Sequence, residues 1–330
     1  MPTSGHHKGA TWFGSGVSAI VLASLAFATA GCGRVNELRA RKSFKEANQA
    51  YGAQDYKRAA ERYEATVQAD PNLLSAYFYL GNSYDNAYKP SKHGDKENDD
   101  LMTKAVQNYQ TAAERMAASD KPDEKKLGQL ALDYLVAAYG PDKLNDPAKA
   151  EPVVQRMIRL APGDPSNYFK LAKIYEDAGA YDSEEDILLK AKEAKPTDPA
   201  VYMTLAGYYN RQGQFGKTMQ SLEDRAAREP NNPEAHYTIA TFYWDEAFRD
   251  ARLKEAEKKD YLQKGISAVD KALSIKPDYT EALVYKGLLL RLQANMEKDV
   301  SKQQALIKEA TQLRDKADVL RKKKASGVGD

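Results

Sequence analysis

The sequence predicts an all-α protein built as a solenoid of stacked helix-turn-helix units. Three observations predict it. The chain repeats every 34 residues between Pro162 and Tyr243, apolar positions inside each repeat have helical spacing, and Gly or Pro punctuates the helix ends. Pro162, Pro196 and Pro230 are equally spaced, and so are Tyr168, Tyr202 and His236. The same step separates Leu171, Leu205 and Ile239, then Ala172, Ala206 and Ala240, then Tyr175, Tyr209 and Tyr243. A fixed period between about 20 and 50 residues marks a solenoid or array, because one such unit cannot bury its apolar face alone.

The unit from Pro165 to Pro196 shows why each repeat is a helical hairpin. Tyr168, Leu171, Ala172 and Tyr175 fall at i, i+3, i+4 and i+7 and share one helix face. Gly179 ends that helix, a second stripe runs through Ile187, Leu188 and Ala191, and Pro196 stops it. The Ala column sits where the two helices of a unit approach closely; a larger side chain there would cost about 1–3 kcal/mol through overpacking. The Tyr columns supply buried rings whose hydroxyls reach polar edges. They explain why the chain has 21 Tyr but only 8 Phe and 2 Trp.

These residues resemble the tetratricopeptide repeat, whose pattern is an aromatic, Leu, Gly or Ala, Tyr, then Ala, an aromatic, Ala and a closing Pro. The first clean unit matches at Tyr168, Leu171, Ala172, Tyr175, Gly179, Tyr181, Leu188, Ala191 and Pro196, and departs at Glu184. The second matches at Tyr202, Leu205, Ala206, Tyr209, Gly213, Phe215, Leu222 and Pro230, and departs at Thr218. The resemblance implies a right-handed α-solenoid of stacked helix-turn-helix tetratricopeptide repeats, with a concave surface that binds other proteins.

Taken in order, residues 1–31 read as a lipoprotein signal peptide. Lys8 is the single charged side chain before Arg34, an apolar run spans Val17 to Ala30, and Thr29-Ala30-Gly31-Cys32 follows. That ending resembles a bacterial lipobox, which implies cleavage before Cys32 and acylation of its sulfur. An uncleaved membrane anchor and simple secretion are the alternative fates of such a segment. Gly33 after the Cys favours the outer membrane over the inner. Cys32 is the only cysteine, so no intramolecular disulfide supports the fold.

Residues 32–45 read as a tether, and 46–298 as the solenoid, with about six to seven units. Ala47, Tyr51, Tyr56, Ala59 and Tyr63 carry the first repeat, and Tyr77, Leu80, Gly81 and Tyr84 begin the second. An insertion at 85–100, rich in Lys, Asp and Asn with Pro90 and Gly94, reads as a solvated loop. Its acids Asp95, Glu97, Asp99 and Asp100 lack the central Gly and closing Glu of a helix-loop-helix calcium site. A divergent unit follows, through Leu132, Leu135 and Val136, then Ala150, Val154 and Ile158. The insertion at 244–260 carries Ala247, Phe248, Ala251, Leu253 and Ala256 among alternating charges, and reads as a helical extension. Residues 299–330 read as a capping helix with a basic tail, Arg321 to Lys324.

No catalytic constellation, metal site or cofactor motif emerges. The four His are His6, His7, His93 and His236, scattered between a leader, an insertion and a Tyr column. Lys and Arg total 49 against 47 Asp and Glu, a net charge of +2 that excludes the strongly basic balance of nucleic-acid proteins. The chain therefore reads as a non-enzyme. In the family, first-helix residues just off the core columns line the concave groove. Here they are Phe78, Asn82, Phe169, Lys173, Met203, Asn210, Arg211, Tyr237, Thr241 and Trp244. Phe78 and Phe169 stand where a terminal-carboxylate clamp would want Lys. Two functions fit this surface. One is a membrane-anchored scaffold of the bacterial cell envelope that binds an envelope protein or peptide, similar in plan to lipoproteins of secretin, pilus and barrel assembly. The alternative is a solute- or glycan-binding module serving polysaccharide export, with Tyr237 and Trp244 as stacking platforms.

Overall fold

The computed structural model describes residues 16–327, with side chains from Arg34 onward. The leader, the lipobox residues and Cys32 lie outside the described side chains. The described residues form α-helices joined by tight turns, in two compact units that divide between Leu160 and Ala161. Among them, no helix is long and apolar enough to cross a membrane.

The first unit pairs α1 (Gly16–Gly52) with α2 (Tyr56–Ala69), α3 (Ser75–Ala87) with α4 (Lys96–Met116), and α5 (Pro122–Ala138) with α6 (Pro147–Leu160). The second pairs α7 (Pro165–Asp177) with α8 (Tyr181–Ala194), α9 (Pro199–Arg211) with α10 (Phe215–Arg228), α11 (Pro233–Arg249) with α12 (Glu255–Ile275), and α13 (Thr280–Ala294) with α14 (Val300–Ala325). Within each unit successive hairpins stack, so a continuous core forms between them.

Local chemistry sets the repeat boundaries. Asp164, Asp198 and Asn232 cap α7, α9 and α11, each accepting at 3.0 Å from the N–H two residues on: Ser166, Ala200 and Glu234. Pro165, Pro199 and Pro233 follow as first helical residues, where a missing N–H costs nothing. At the other end Gly179 and Gly213 adopt φ of 70° and 66°, the left-handed conformation that closes a helix. The N–H of Ala180 then bonds the Tyr175 carbonyl at 2.8 Å, and that of Gln214 bonds Tyr209 at 2.9 Å.

The Leu/Ile and Ala columns predicted to be core are buried. Ala172, Ala206 and Ala240 are at most 4 % exposed, with Leu171, Leu205 and Ile239 beside them. Around Tyr243, Leu222, Met219 and Ala235 form one cluster against Phe215 and Tyr261. The Tyr column works as expected at its edge. Tyr168 and Tyr202 donate hydroxyl hydrogens to the carbonyls of Pro162 and Pro196, at 2.9 and 2.8 Å.

Two segments differ from the sequence reading. Residues 34–45, expected as a tether, continue α1, and Ala40 is buried against the first hairpin. Residues 85–100, expected as a loop, are mostly ordered structure. α3 runs to Ala87, a 3-10 turn covers Pro90–Lys92, and α4 begins at Lys96. The acids there cap that helix: Asp95 accepts from the N–H of Glu97 and Asn98, and Asp99 accepts from Gly94 at 3.0 Å. Negative side chains at a helix N-terminus are favoured by the backbone dipole. Residues 244–260 extend α11 to Arg249, then turn through 250–254 into α12.

Candidate partner-binding surface

In the first unit the predicted groove residues turn inward. Phe78 and Asn82 are only 6 % and 2 % exposed. Phe78 meets Tyr134 edge-on at 5.6 Å, so its ring fills the seam between α3 and α5 and does not offer itself to a ligand. Asn82 accepts from the Tyr51 hydroxyl and donates to Tyr109, whose own hydroxyl donates to Asp85 at 3.2 Å. Lys143 closes this chain of bonds by pairing with Asp85. Burial, then the Asp85 charge, pushes the Tyr109 hydroxyl far above its ordinary range, so it stays a donor. The network joins α1, α3, α4 and the turn after α5, and sequence spacing gave no hint of it.

In the second unit the predicted residues divide into two sets. Phe169 is half-buried, and Lys173 is exposed but paired with Asp177 at 2.7 Å and Glu176 at 3.3 Å. Arg211 binds Glu176 at 2.9 Å and Glu184 at 2.6 Å, so one cation ties α7, α8 and α9 together. Met203 is 40 % exposed and Asn210 is exposed on the same helix. Asn210 also edges a cleft of about 520 Å³ at the far end of α11, which Glu246 and Arg252 help to line. Arg252 holds Asp250 down to about 2 there, while burial, then Asp250 and Asp245, push Glu246 up.

The second set is aromatic. Tyr237, Thr241 and Trp244 recur at helical spacing on α11, and Phe248 continues the row one turn on. Trp244 and Phe248 lie parallel, with centroids 5.1 Å apart and 8° between their planes. Tyr285 of α13 abuts Trp244 edge-on at 5.6 Å and Tyr237 at 5.3 Å. Burial, then the neighbouring Tyr285 and Tyr279, pushes the Tyr237 hydroxyl up to about 12, so it is neutral and can donate. Thr241 spends its hydroxyl on the Thr238 carbonyl at 2.7 Å. Phe248 remains 60 % exposed, the most solvent-facing ring of this row. The sequence placed Phe248 in the extension but not on this surface; its i+4 spacing from Trp244 was the available signal. Tyr285 had none, because its neighbours come from another hairpin.

His236 is half-buried in its Tyr column, and its Nε2 lies 3.1 Å from the Pro230 carbonyl. Among the described residues, no group of three His, Cys, Asp or Glu is placed to hold a metal ion.

A tetratricopeptide-repeat family model matches residues 44–87 and 142–199. The C-terminal part of a tetratricopeptide-repeat-containing protein from Cytophaga hutchinsonii is 17 % identical, with 84 % of this chain and 98 % of that one covered, at a TM-score of 0.52. A tetratricopeptide repeat protein from Parabacteroides merdae is 11 % identical over 83 % and 99 % of the two chains, at 0.43. A crystal structure of MamA is 21 % identical over 55 % and 92 %, at 0.39. No curated protein matches the sequence. Likeness at such identities is likeness of fold. Residues 44–87 and 142–199 match the tetratricopeptide-repeat model, and the described chain is an all-α stack of helical hairpins similar in fold to the Cytophaga protein.

Proposed function

We propose that the chain is a non-enzymatic scaffold of the bacterial cell envelope, held to the membrane by a lipid on Cys32, that binds a partner protein or peptide on the aromatic face of α11 and α13. The exposed Phe248 ring, stacked on the half-buried Trp244, carries this reading. Ile239, Ala240, Tyr243 and Ala247 fill the buried side of α11; Trp244 packs partly against that core, and Phe248 stands outside it. A stacked aromatic pair beside Tyr285, with Phe248 exposed, supplies the kind of contact area that protein interfaces concentrate in a few residues. The lipid anchor is argued from the sequence of residues 1–33 alone.

The same parallel rings favour one competing function, stacking on a sugar ring. Photo-crosslinking in cells decides between them, with the probe placed at Met203 and at Phe248 and the adducts identified by mass spectrometry. One envelope protein captured at both positions supports the scaffold. Adducts confined to this chain, with saturable oligosaccharide binding that Trp244→Ala abolishes, would replace it by the glycan module. The anchor is tested separately: Cys32→Ser should abolish labelling by a fatty-acid analogue. Unchanged membrane retention of that variant would assign anchoring to the uncleaved apolar run.

A further inference from the structure

Helix α1 has a face that nothing else in the described structure uses. α2 covers its other side, where Ala40, Ala47 and Ala50 are buried and Ser43 and Phe44 half-buried. Opposite them Arg34, Leu38, Arg41 and Lys45 fall at i, i+4, i+7 and i+11, with Val35 and Lys42 alongside, and all six are exposed. Leu38 is 67 % exposed and Val35 48 %. Residues 34–45 hold five cations, namely Arg34, Arg39, Arg41, Lys42 and Lys45, against one acid, Glu37. That acid binds Arg41 at 2.6 Å, and Arg34, Lys42 and Lys45 have no acidic partner among the described residues. In a chain of net charge +2 this is a local concentration of positive charge. It also continues, in one helix, from the apolar run that ends at Ala30.

We propose that this stripe is a docking surface for anionic phospholipid. Leu38 and Val35 enter the headgroup region, and Arg34, Lys42 and Lys45 meet lipid phosphates. The stripe's composition selects that occupant. Interfacial helices combine a cationic margin with apolar side chains between the charges, and both gains add at a lipid surface. A nucleic-acid backbone would satisfy the cations but leave Leu38 and Val35 in water. The proposal takes from the preceding section only that the chain resides at a membrane; it does not need the lipid on Cys32.

The test uses the full chain with Cys32→Ser, which has no other thiol, and a polarity-sensitive fluorophore on Leu38→Cys. Vesicles of phosphatidylcholine alone are compared with vesicles that also contain phosphatidylglycerol. The emission should shift to the blue and become shielded from iodide only with the anionic vesicles. Added salt should reverse the change, because it screens exposed charges. Each cation removed should weaken partitioning about fivefold, so a variant with Arg34→Gln, Lys42→Gln and Lys45→Gln together should bind about 100-fold more weakly. These positions face solvent, so the variant should keep its helix content, which circular dichroism checks. Equal emission with both vesicle types, or a variant that binds anionic vesicles as the parent does, overturns the proposal. So does a blue shift produced by duplex DNA and not by vesicles. Absence of fatty-acid labelling on the unaltered chain in cells would sink the lipid anchor and leave these results unaffected, since the assayed chain lacks Cys32.

Discussion

His236 donates its Nε2 hydrogen to the carbonyl of Pro230, across 3.1 Å. A carbonyl can only accept, so Nε2 carries the hydrogen in this contact. Tyr168 and Tyr202 make the equivalent bond with hydroxyls to Pro162 and Pro196. The column therefore requires a donor reaching back six residues, and a ring between donor and helix. His236→Tyr should keep full stability in urea unfolding. His236→Phe keeps the ring and deletes the donor, and should lose about 0.5–1 kcal/mol. Equal stability of the two variants would show that the Pro230 bond contributes nothing.

Gln54 stands where later repeats have glycine. Its φ is 59°, and the Asp55 N–H bonds the Ala50 carbonyl at 2.9 Å, the same closure that follows Gly179 and Gly213. A side chain in the left-handed region costs about 1–2 kcal/mol, partly offset by the greater freedom of unfolded glycine. Gln54→Gly should accordingly raise stability by up to about 1 kcal/mol. The measurement is the shift of the denaturant midpoint at unchanged slope. A lower midpoint would mean that the Gln54 side chain contributes contacts worth more than the backbone relief.

Glu184 supplies the pH dependence. It replaces the small residue usual at this place in the repeat, its side chain is buried, and Oε2 has no hydrogen-bond partner. Burial raises its pKa; Arg211 opposes the rise and Glu176 adds to it. The folded state thus holds this proton more tightly than the unfolded chain does. The associated stability is complete below the unfolded value of about 4.5 and is lost as pH rises through the folded value. Glu184→Gln has no such titration. The stability of the Gln variant relative to wild type should therefore increase from about pH 4 toward neutrality. A difference that stays flat across that range, in parallel denaturation series, would refute the raised pKa.

What could be read from the chain follows the range of each interaction. The helical hairpins, the Asp164, Asp198 and Asn232 caps and the Gly179 and Gly213 closures are all local, so their signals lie within a few residues. The order in 85–100 was also legible in principle, since Asp95 is a capping residue with acids in the following turn. Its Pro and Gly masked that signal. The Asn82–Tyr109–Asp85–Lys143 chain was not legible, because its bonds join residues up to 58 apart and no period links its members. Phe78 and Asn82 were misplaced for the same reason: the rings that bury them, Tyr134 and Tyr109, belong to later helices. Trp244 was placed on the groove by its position just off the core column, while its stacking partner Phe248, one turn on, was not.

That pair gives the sharpest separation between folding and binding. Phe248 is 60 % exposed and touches the fold mainly through Trp244, so removing it uncovers little. Phe248→Ala should change stability by less than about 0.5 kcal/mol, in the range of ordinary surface substitutions. Trp244 is half-buried against Tyr285, and Trp244→Ala should cost about 1–2 kcal/mol through lost ring contact. At a protein interface the order reverses, because a truncated aromatic anchor loses about 2 kcal/mol or more of binding whatever it contributes to folding. Phe248→Ala should thus weaken capture of the crosslinked partner by at least about 30-fold while the melting curve stays in place. Pull-down titration beside thermal unfolding reads both quantities on one preparation. Partner binding that survives Phe248→Ala at full affinity would remove the α11 aromatic face from the interface and leave Met203 and Asn210 on α9 as the surface to probe.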